Sequence, residues 1–193
     1  LLHQLGNVLF TIQGNAQAFG ADGDDPGRAR TVILAAADRG AQTLRLLRCL
    51  LGDPAAPPAE AGALLSQLGD LLRVPLREAR QMLDLRHTAQ QSPVFVQPTD
   101  FCIAIAEALR SLVTILPTGV HGTLVLDLWE QGPRHATVRV LFAPPSGDLP
   151  FPLDVGELQA RYAAGQVRTH SRPVVRAHAM GLELVFAGAG ASQ

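Results

Sequence analysis

Lysine is absent from this 193-residue sequence, and all 16 basic residues are arginine. Schiff-base chemistry and phosphate-binding loops that depend on a lysine side chain are therefore excluded. Cysteine is scarce as well. Cys49 and Cys102 lie far apart in the sequence and form no ligand pair, which argues against a disulfide framework or a cysteine zinc site. Both are predicted to be small buried hydrophobic residues.

The sequence also lacks long apolar runs and any excess of one charge. No apolar stretch reaches about 18 residues, so no membrane span is expected. The net charge is -1, which disfavours a general nucleic-acid binder. Apolar residues make up 47% and charged residues 17%, as in folded globular proteins. No signal peptide is visible, so we expect a cytoplasmic location; because Leu1 is not Met, we expect the natural N-terminus to lie upstream.

Two segments at the start of the chain repeat apolar residues at alternating spacings of three and four, which is typical of helices packed in a bundle. A loop over 20–25 separates them, and Asp25 can cap a second helix that begins at Pro26. A single helical hairpin leaves apolar surface uncovered, so we expect a homodimer that forms a four-helix bundle. The repeating positions are Leu2, Leu5, Leu9, Ile12, Ala16 and Phe19, then Ile33, Ala37, Gly40, Leu44, Leu47 and Leu51.

A linker rich in proline and alanine, 52–58, separates a hairpin domain at 1–53 from a second domain at 60–193. In the second domain the patterns predict helices over 61–73, 99–116, 154–164 and 173–186, the second of them capped by Thr99 or Asp100. They predict strands over 81–87, 122–130 and 136–142. The overall expectation is an α+β fold in which the hairpin precedes a two-layer α/β sandwich. The last residues, 187–193, end where a further strand would be expected.

His3 is the candidate nucleophile. It is next to the bundle residue Leu2, so it is predicted to face solvent, with Asn7 one turn further along the same face. A neutral imidazole can act as a nucleophile near pH 7. A solitary exposed histidine can equally be a solvated bystander. Gly6 and Gly14 either allow a partner helix to come close or are loosely packed helix positions.

The stretch LLHQLGNVLFTIQGNAQAF resembles the phosphoacceptor helix of bacterial histidine kinases, and AAADRGAQTLRLLRCLLGD resembles the second helix of the same domain. This resemblance implies that His3 is the phosphorylated residue. It also implies that Gln4, Gly6 and Asn7 contact the phosphoryl group or the partner. In those kinases the residue after the histidine is usually acidic. Because the glutamine here cannot accept a proton, autophosphorylation is expected to be poor.

The rest of the chain resembles the ATP-binding domain of the same kinases in the order of its elements. The segment DFCIAIAEALRSLVTILPTGVHGTLVLDL matches the helix that carries the magnesium-binding asparagine, and by this match Ser111 occupies that place, with Glu107 at an earlier polar position. The adenine-binding aspartate should follow the strand VRVLF, where Ala143 stands before Pro144 and Pro145. We therefore expect no nucleotide cofactor and no resident metal.

Together these features resemble the bacterial histidine phosphotransferases that are built like a histidine kinase but lack ATP binding. The segment RPVVRAHAMGLELVFAGAG matches in type the last helix of that group. The resemblance implies that a homodimer relays a phosphoryl group between receiver domains of response regulators, with magnesium supplied by the receiver. No nucleic-acid or membrane partner is expected.

Two other functions remain open: a catalytically silent dimeric adaptor that binds receiver domains, and a divergent histidine kinase. A metal hydrolase is disfavoured, because no carboxylate–histidine cluster supports it. No two of His121, His135, His170 and His178 stand at a metal-ligand spacing. The arginines of the second helix form either a solvated face or part of a docking surface. The arginines of the second helix are Arg28, Arg30, Arg39, Arg45 and Arg48.

Overall fold

The computed structural model of the chain describes residues 2–18, 26–88, 93–131, 134–145, 152–165 and 171–189. The chain divides into two compact units, Leu1–Leu47 and Arg48–Gln193. The division falls near the end of the second helix, shortly before the proline-rich segment 52–58. No helix among the described residues is long and apolar enough to cross a membrane.

Two helices make up the first unit. They are α1, Leu2–Ala18, and α2, Pro26–Leu50, and both confirm the helices predicted from the apolar spacing. The connecting residues 19–25 lie outside the described part of the chain. Val8 of α1 meets Gly40 of α2, where an added Cβ would lie 3.0 Å from Val8 Cγ1. The glycine therefore lets the two helices approach closely at this point.

The buried side of α2 differs from the predicted one. Ala29, Ala36 and Gly40 are buried, whereas the predicted positions Ala37 and Leu44 are exposed. A helix repeats every 3.6 residues, so apolar residues at adjacent positions form two neighbouring stripes, and only one of them meets α1. Large apolar side chains therefore stay on the surface of a single chain: Leu9, Phe10, Leu34 and Leu44.

The second unit contains a five-stranded sheet with helices packed on one face, as the predicted two-layer sandwich requires. The strand order is β2-β4-β5-β7-β6; β2 pairs with β4 in parallel and the other pairs are antiparallel. A separate pair joins β1 to β3. The elements are β1 Ala59–Glu60, α3 Ala61–Glu78, β2 Gln81–Thr88, β3 Phe95–Val96, α4 Pro98–Ile115, β4 Gly122–Gln131, β5 His135–Ala143, α5 Val155–Gly165, β6 Val174–His178 and β7 Gly181–Ala187.

The helix predicted over 173–186, and with it the resemblance to a last helix, is wrong. This segment forms the antiparallel hairpin of β6 and β7. Along β7 the side chains alternate, with Leu182 and Leu184 buried and Glu183 between them on the other face. Such a period of two is typical of a strand whose one face is covered. The hairpin extends the sheet because β7 pairs with β5 along its length.

The predicted side-chain cap of α4 is also wrong. The helix is capped by Gln97 without a side-chain hydrogen bond, and it begins at Pro98, whose missing N–H costs nothing in the first turn. The Thr99 hydroxyl donates instead to the carbonyl oxygen of Asp53. Asp100 accepts hydrogen bonds from the backbone N–H and the hydroxyl of Ser171, at 2.9 and 2.7 Å. Both side chains thus tie α4 to distant segments rather than to its own first turn.

The sheet has a covered face and an open face. Inward side chains of β4 and β5 fill the core beneath the helices, and α3 comes close to β2 because two glycines face it. An added Cβ would lie 2.4 Å from Leu85 Cδ1 at Gly69 and 2.4 Å from His87 Cε1 at Gly62. The alternate residues point to the open face, which no described helix of the second unit covers. The inward residues are Leu124, Leu126, Leu128, Val138, Val140 and Phe142.

Candidate functional site

The predicted phosphoacceptor His3 and the three residues predicted to contact the phosphoryl group or the partner, Gln4, Gly6 and Asn7, lie in the first two turns of α1. Their backbone is helical, and their side chains lie outside the described part of the chain. Because an α-helix makes a turn every 3.6 residues, the backbone places Asn7 one turn after His3 on the same face.

The same face of α1 continues through Phe10 and Gly14, since positions 3, 7, 10 and 14 follow the spacing of one helical stripe. We call His3, Asn7, Phe10 and Gly14 the histidine stripe. Within the first unit Phe10 is 76% exposed, and a Cβ added to Gly14 would meet nothing within 4 Å. The described end of this stripe is therefore an open surface with a large apolar side chain next to a position without a side chain.

Ser111, which the resemblance places at the magnesium-binding position, is on α4 and 1% exposed. Its hydroxyl oxygen has no hydrogen-bond partner among the described residues. One turn earlier, Glu107 is bound by Arg110 at 2.6 and 2.8 Å. The Glu107 carboxylate also lies against Gly165 of α5, where an added Cβ would be 2.2 Å from Oε2. The Glu107 carboxylate is thus ion-paired with an arginine of its own helix and partly covered by α5.

Ala143, the other degenerate position, lies away from Ser111. It ends β5 and, with Pro144 and Pro145, borders a groove on the open face of the sheet. Ser111 belongs to the helical layer on the opposite face. The structure therefore does not bring these two positions together, and they offer only a buried hydroxyl and a methyl group. No cluster of three or more histidine, cysteine or acidic side chains among the described residues could hold a metal ion.

The cysteines confirm the sequence prediction. Cys49 is 4% and Cys102 0% exposed, and both are free thiols. Burial raises the pKa of both thiols above the usual value, so at neutral pH they are protonated and poor nucleophiles. Among the other histidines, His178 accepts a hydrogen bond at Nδ1 from the Met180 backbone N–H, at 3.2 Å. His170 lies outside the described residues.

A ladder of alternating charge crosses the open face of the sheet, and the sequence analysis missed it. Its members are directly paired neighbours, one from each strand: Arg86, Asp127, Arg139, Glu183 and Arg176. Glu183 binds Arg139 at 3.0 Å and Arg176 at 3.3 Å. Asp127 and Arg139 stand in the middle of strands that the sequence predicts, and this was the available signal for their part of the ladder. Glu183 and Arg176 lie in the segment 173–186, for which a helix was predicted, so their part of the ladder had no signal.

Glu130 is a second feature that sequence reasoning missed. It is 2% exposed, at the end of β4, and accepts a hydrogen bond from the Val94 backbone N–H at 3.3 Å. Its other oxygen lies 3.6 Å from Nε2 of His87, on the adjacent strand β2. A buried carboxylate needs such partners to offset its loss of hydration. Glu130 therefore ties the segment before β3 to the sheet.

No family model and no curated protein matches the chain. Among solved structures it is similar to the Acinetobacter baumannii histidine kinase AdeS, at 14% identity and a TM-score of 0.44, covering 96% of both chains. It is also similar to a bacterial phosphotransferase, at 14% identity and 0.40, covering 95% of this chain and 90% of that one. A third is the histidine kinase ThkA in complex with the response regulator protein TrrA, at 13% identity and 0.45, covering 97% and 59%.

What the described residues show by themselves is a pair of helices followed by a five-stranded sheet with helices on one face. This is the order of elements that the histidine-kinase resemblance of the sequence implied.

Proposed function

We propose that this protein is a histidine phosphotransferase that relays a phosphoryl group between receiver domains of response regulators through a phosphohistidine at His3. The observation that supports it most is the histidine stripe on α1. A partner that reaches His3 would also cover the exposed ring of Phe10 and could approach closely at Gly14. Apolar area of this kind, close to a nucleophile, suits a protein partner better than a small substrate.

In the proposed reaction the main task of the chain is to position His3 for attack on the phosphorus. With a receiver docked on the stripe, the lone pair of an imidazole nitrogen of His3 attacks the phosphorus of an aspartyl phosphate. The bond from phosphorus to the carboxylate oxygen breaks, and the carboxylate leaves with its electron pair. A second receiver reverses the step. In such transfers most of the rate comes from in-line positioning and charge neutralisation. The magnesium and the lysine would come from the receiver, since this chain has no lysine.

The chain's own residues favour a relay over a kinase. Nucleotide triphosphates are usually held by glycine-rich loops with free N–H groups and by a metal bound to carboxylate or amide oxygens. Ser111, which the resemblance assigns to the metal-ligand position, is buried, and Ala143 is followed by two prolines that have no N–H. Gln4 cannot act as a base beside the nucleophile. The phosphoryl group would therefore arrive from another protein.

Transfer from a purified receiver domain tests this proposal. Incubated with a ³²P-labelled receiver, the chain should become labelled, and His3→Gln should remove the label because no nucleophile remains. His121→Gln, a matched histidine variant outside α1, should transfer normally. Phe10→Ser should slow the transfer roughly thirtyfold at limiting receiver, since burial of an aromatic side chain contributes on the order of 2 kcal/mol.

The same proteins distinguish the relay from the two alternative functions, an adaptor and a kinase. If the chain binds the receiver but is never labelled, and His3→Gln binds equally well, the protein is an adaptor and the proposed relay is wrong. If magnesium-ATP binds in a calorimeter and labels His3 without a receiver, the protein is a kinase. A label that persists in His3→Gln would place the phosphoryl group on another residue.

A further inference from the structure

The strand β6 lies at one edge of the sheet, and its outer side is open among the described residues. The strand order ends with β6, which pairs only with β7. Val174 is 60% exposed, and Ala177 is exposed as well. No backbone hydrogen bond joins β6 to a described residue outside the sheet. An edge of this kind presents free N–H and C=O groups to another chain.

The bonding pattern of β7 shows which residues of β6 carry those free groups. The Phe142 N–H donates to the carbonyl oxygen of Met180 at 2.9 Å, directly beside the last residue pair of β5 and β7. Because bonded pairs alternate in an antiparallel ladder, the even-numbered residues of β7 bond to β5. The odd-numbered residues of β7 then bond to the even-numbered residues of β6. The N–H and C=O groups of Val175 and Ala177 therefore point outward.

A groove runs beside this edge, between α5 and β6, and we call it the edge groove. Its volume of about 260 Å³ is below the roughly 300–1,000 Å³ of small-molecule sites and above the roughly 150 Å³ of an apolar cavity that holds benzene. The edge groove thus has room for one large side chain. It is lined by Gln159, Tyr162, Ala163, Arg172, Pro173 and Val175.

Val175 belongs to both the open edge and the edge groove. Its backbone groups point out of the sheet, and its side chain lines the groove. Residues directly opposite each other on paired strands share a face of the sheet. A strand added outside β6 therefore places the side chain opposite Val175 in the edge groove. The next side chain of that strand lies beside Arg176 on the open face.

Arg176 is the charge that an added strand meets first. Its side chain is 67% exposed and lies 3.3 Å from Glu183. Glu183 is on β7, one strand further from the edge, and also binds Arg139. An acidic residue opposite Arg176 would form a cross-strand pair of opposite charge, whereas a basic residue there would be destabilising.

We propose that β6 and the edge groove bind an extended segment of a partner protein, which adds an antiparallel strand to the sheet. The segment has a large apolar residue opposite Val175, an acidic residue opposite Arg176 and a further apolar residue opposite Ala177. The free backbone groups select an extended main chain, and the edge groove and Arg176 select its side chains. This docking does not depend on His3.

A second copy of this chain is a poorer occupant of the same edge. When two β6 strands pair about their centre, Arg176 lies opposite Arg176 of the second copy, and like charges at that distance are destabilising. The second copy would also bring only a valine and an alanine to the edge groove, which are too small to fill about 260 Å³. These features favour a different protein.

Fluorescence anisotropy on the full chain tests the proposal with the labelled peptide Thr-Leu-Glu-Leu-Thr. The peptide should bind saturably. Methylation of both leucine nitrogens should weaken binding roughly thirtyfold, because two hydrogen bonds to β6 are lost. Methylation of the glutamate nitrogen is the matched control and should have little effect, since that N–H points away from β6. Lysine in place of glutamate should weaken binding roughly fivefold, and Arg176→Gln should remove this difference.

Two variants of α5 test the edge groove itself. Ala163→Leu fills the groove and should weaken binding of the peptide about tenfold. Ala160→Leu, at an exposed residue of the same helix outside the groove, should bind like the wild type. The bound peptide should also slow hydrogen exchange at the amides of Val175 and Ala177, measured by NMR.

Three results would overturn the proposal. The first is an absence of binding, or equal binding of the peptide methylated at its leucines. The second is an equal effect of Ala163→Leu and Ala160→Leu, or slowed exchange that does not include Val175 and Ala177. The third is a smaller assembly in Ala163→Leu with no change in peptide binding, which would assign the edge groove to a second copy of the chain.

Discussion

Cys102 lies on α4 with no exposed surface, and Cys49, in the last turn of α2, is 4% exposed. Burial raises the pKa of both thiols, for Cys102 most strongly, and it raises the pKa of the Tyr162 hydroxyl on α5 as well. Each group stays protonated in the folded chain at a pH where the unfolded chain has begun to lose the proton. The folded state then binds more protons than the unfolded state, so stability depends on alkaline pH.

We expect the free energy of unfolding to fall as the pH rises above about 9, the ordinary thiol value. The contribution of Cys102 is fully present below that pH and is lost at about 1 kcal/mol per pH unit above it, until the raised pKa in the folded state is reached. Urea unfolding of wild type and Cys102→Ala at several pH values between 7 and roughly 10.5 measures the difference. Parallel curves for the two proteins over this range would contradict the assignment.

The hairpin of β6 and β7 depends on one glycine. A Cβ at Gly181 would lie 1.9 Å from the carbonyl oxygen of Val140, on the neighbouring strand β5. Backbone atoms of a paired strand cannot move aside as a flexible side chain can. Gly14 of α1 is the opposite case, because nothing lies within 4 Å of an added Cβ and the backbone is helical. The same substitution should therefore have opposite effects in the two elements.

We expect Gly181→Ala to destabilise the second unit by about 2 kcal/mol or more, since the clash must separate β7 from β5. Gly14→Ala should stabilise α1 by about 0.5–1 kcal/mol, the difference in helix propensity. Chemical denaturation followed by circular dichroism measures both changes. If Gly181→Ala were neutral, the close contact with Val140 would be wrong; if Gly14→Ala destabilised the protein, the histidine stripe would not be open at that position.

The elements that local patterns determine were predictable, and those that depend on distant partners were not. The strands β4 and β5 show clear alternation, and α1 and α2 show clear spacing. The 173–186 segment contains three valines, two alanines and two leucines, a mixed composition for which a helix was predicted. It becomes two strands because β7 pairs with β5. In the same way, His3 follows from a local motif. The charge ladder is assembled by the register of strands far apart in sequence, which composition and spacing do not encode.

At the scale of the molecule, the first unit leaves apolar side chains on its surface that a single chain does not cover. Leu9 is 65%, Leu34 55% and Leu44 51% exposed. Each leucine would contribute on the order of 2 kcal/mol if it were fully buried, so their exposure favours a second copy of the chain over solvent. A two-fold pairing would bring the same residues of both chains together and complete the four-helix bundle that we propose.

A charge within that apolar surface should separate the two copies. We expect the wild type to sediment at twice the monomer mass at micromolar concentration, and Leu44→Glu to sediment as a folded monomer, because two carboxylates would have to be buried unpaired at the interface. Val174→Glu, at a residue 60% exposed on the second unit, should leave the dimer intact. Phe10→Ser should also remain dimeric, since the histidine stripe is assigned to the receiver and the leucines to the second copy. If the dimer survived Leu44→Glu but dissociated in Phe10→Ser, the assignment of the two surfaces would be wrong. The histidine stripe, with His3, would then contact the other chain of the dimer.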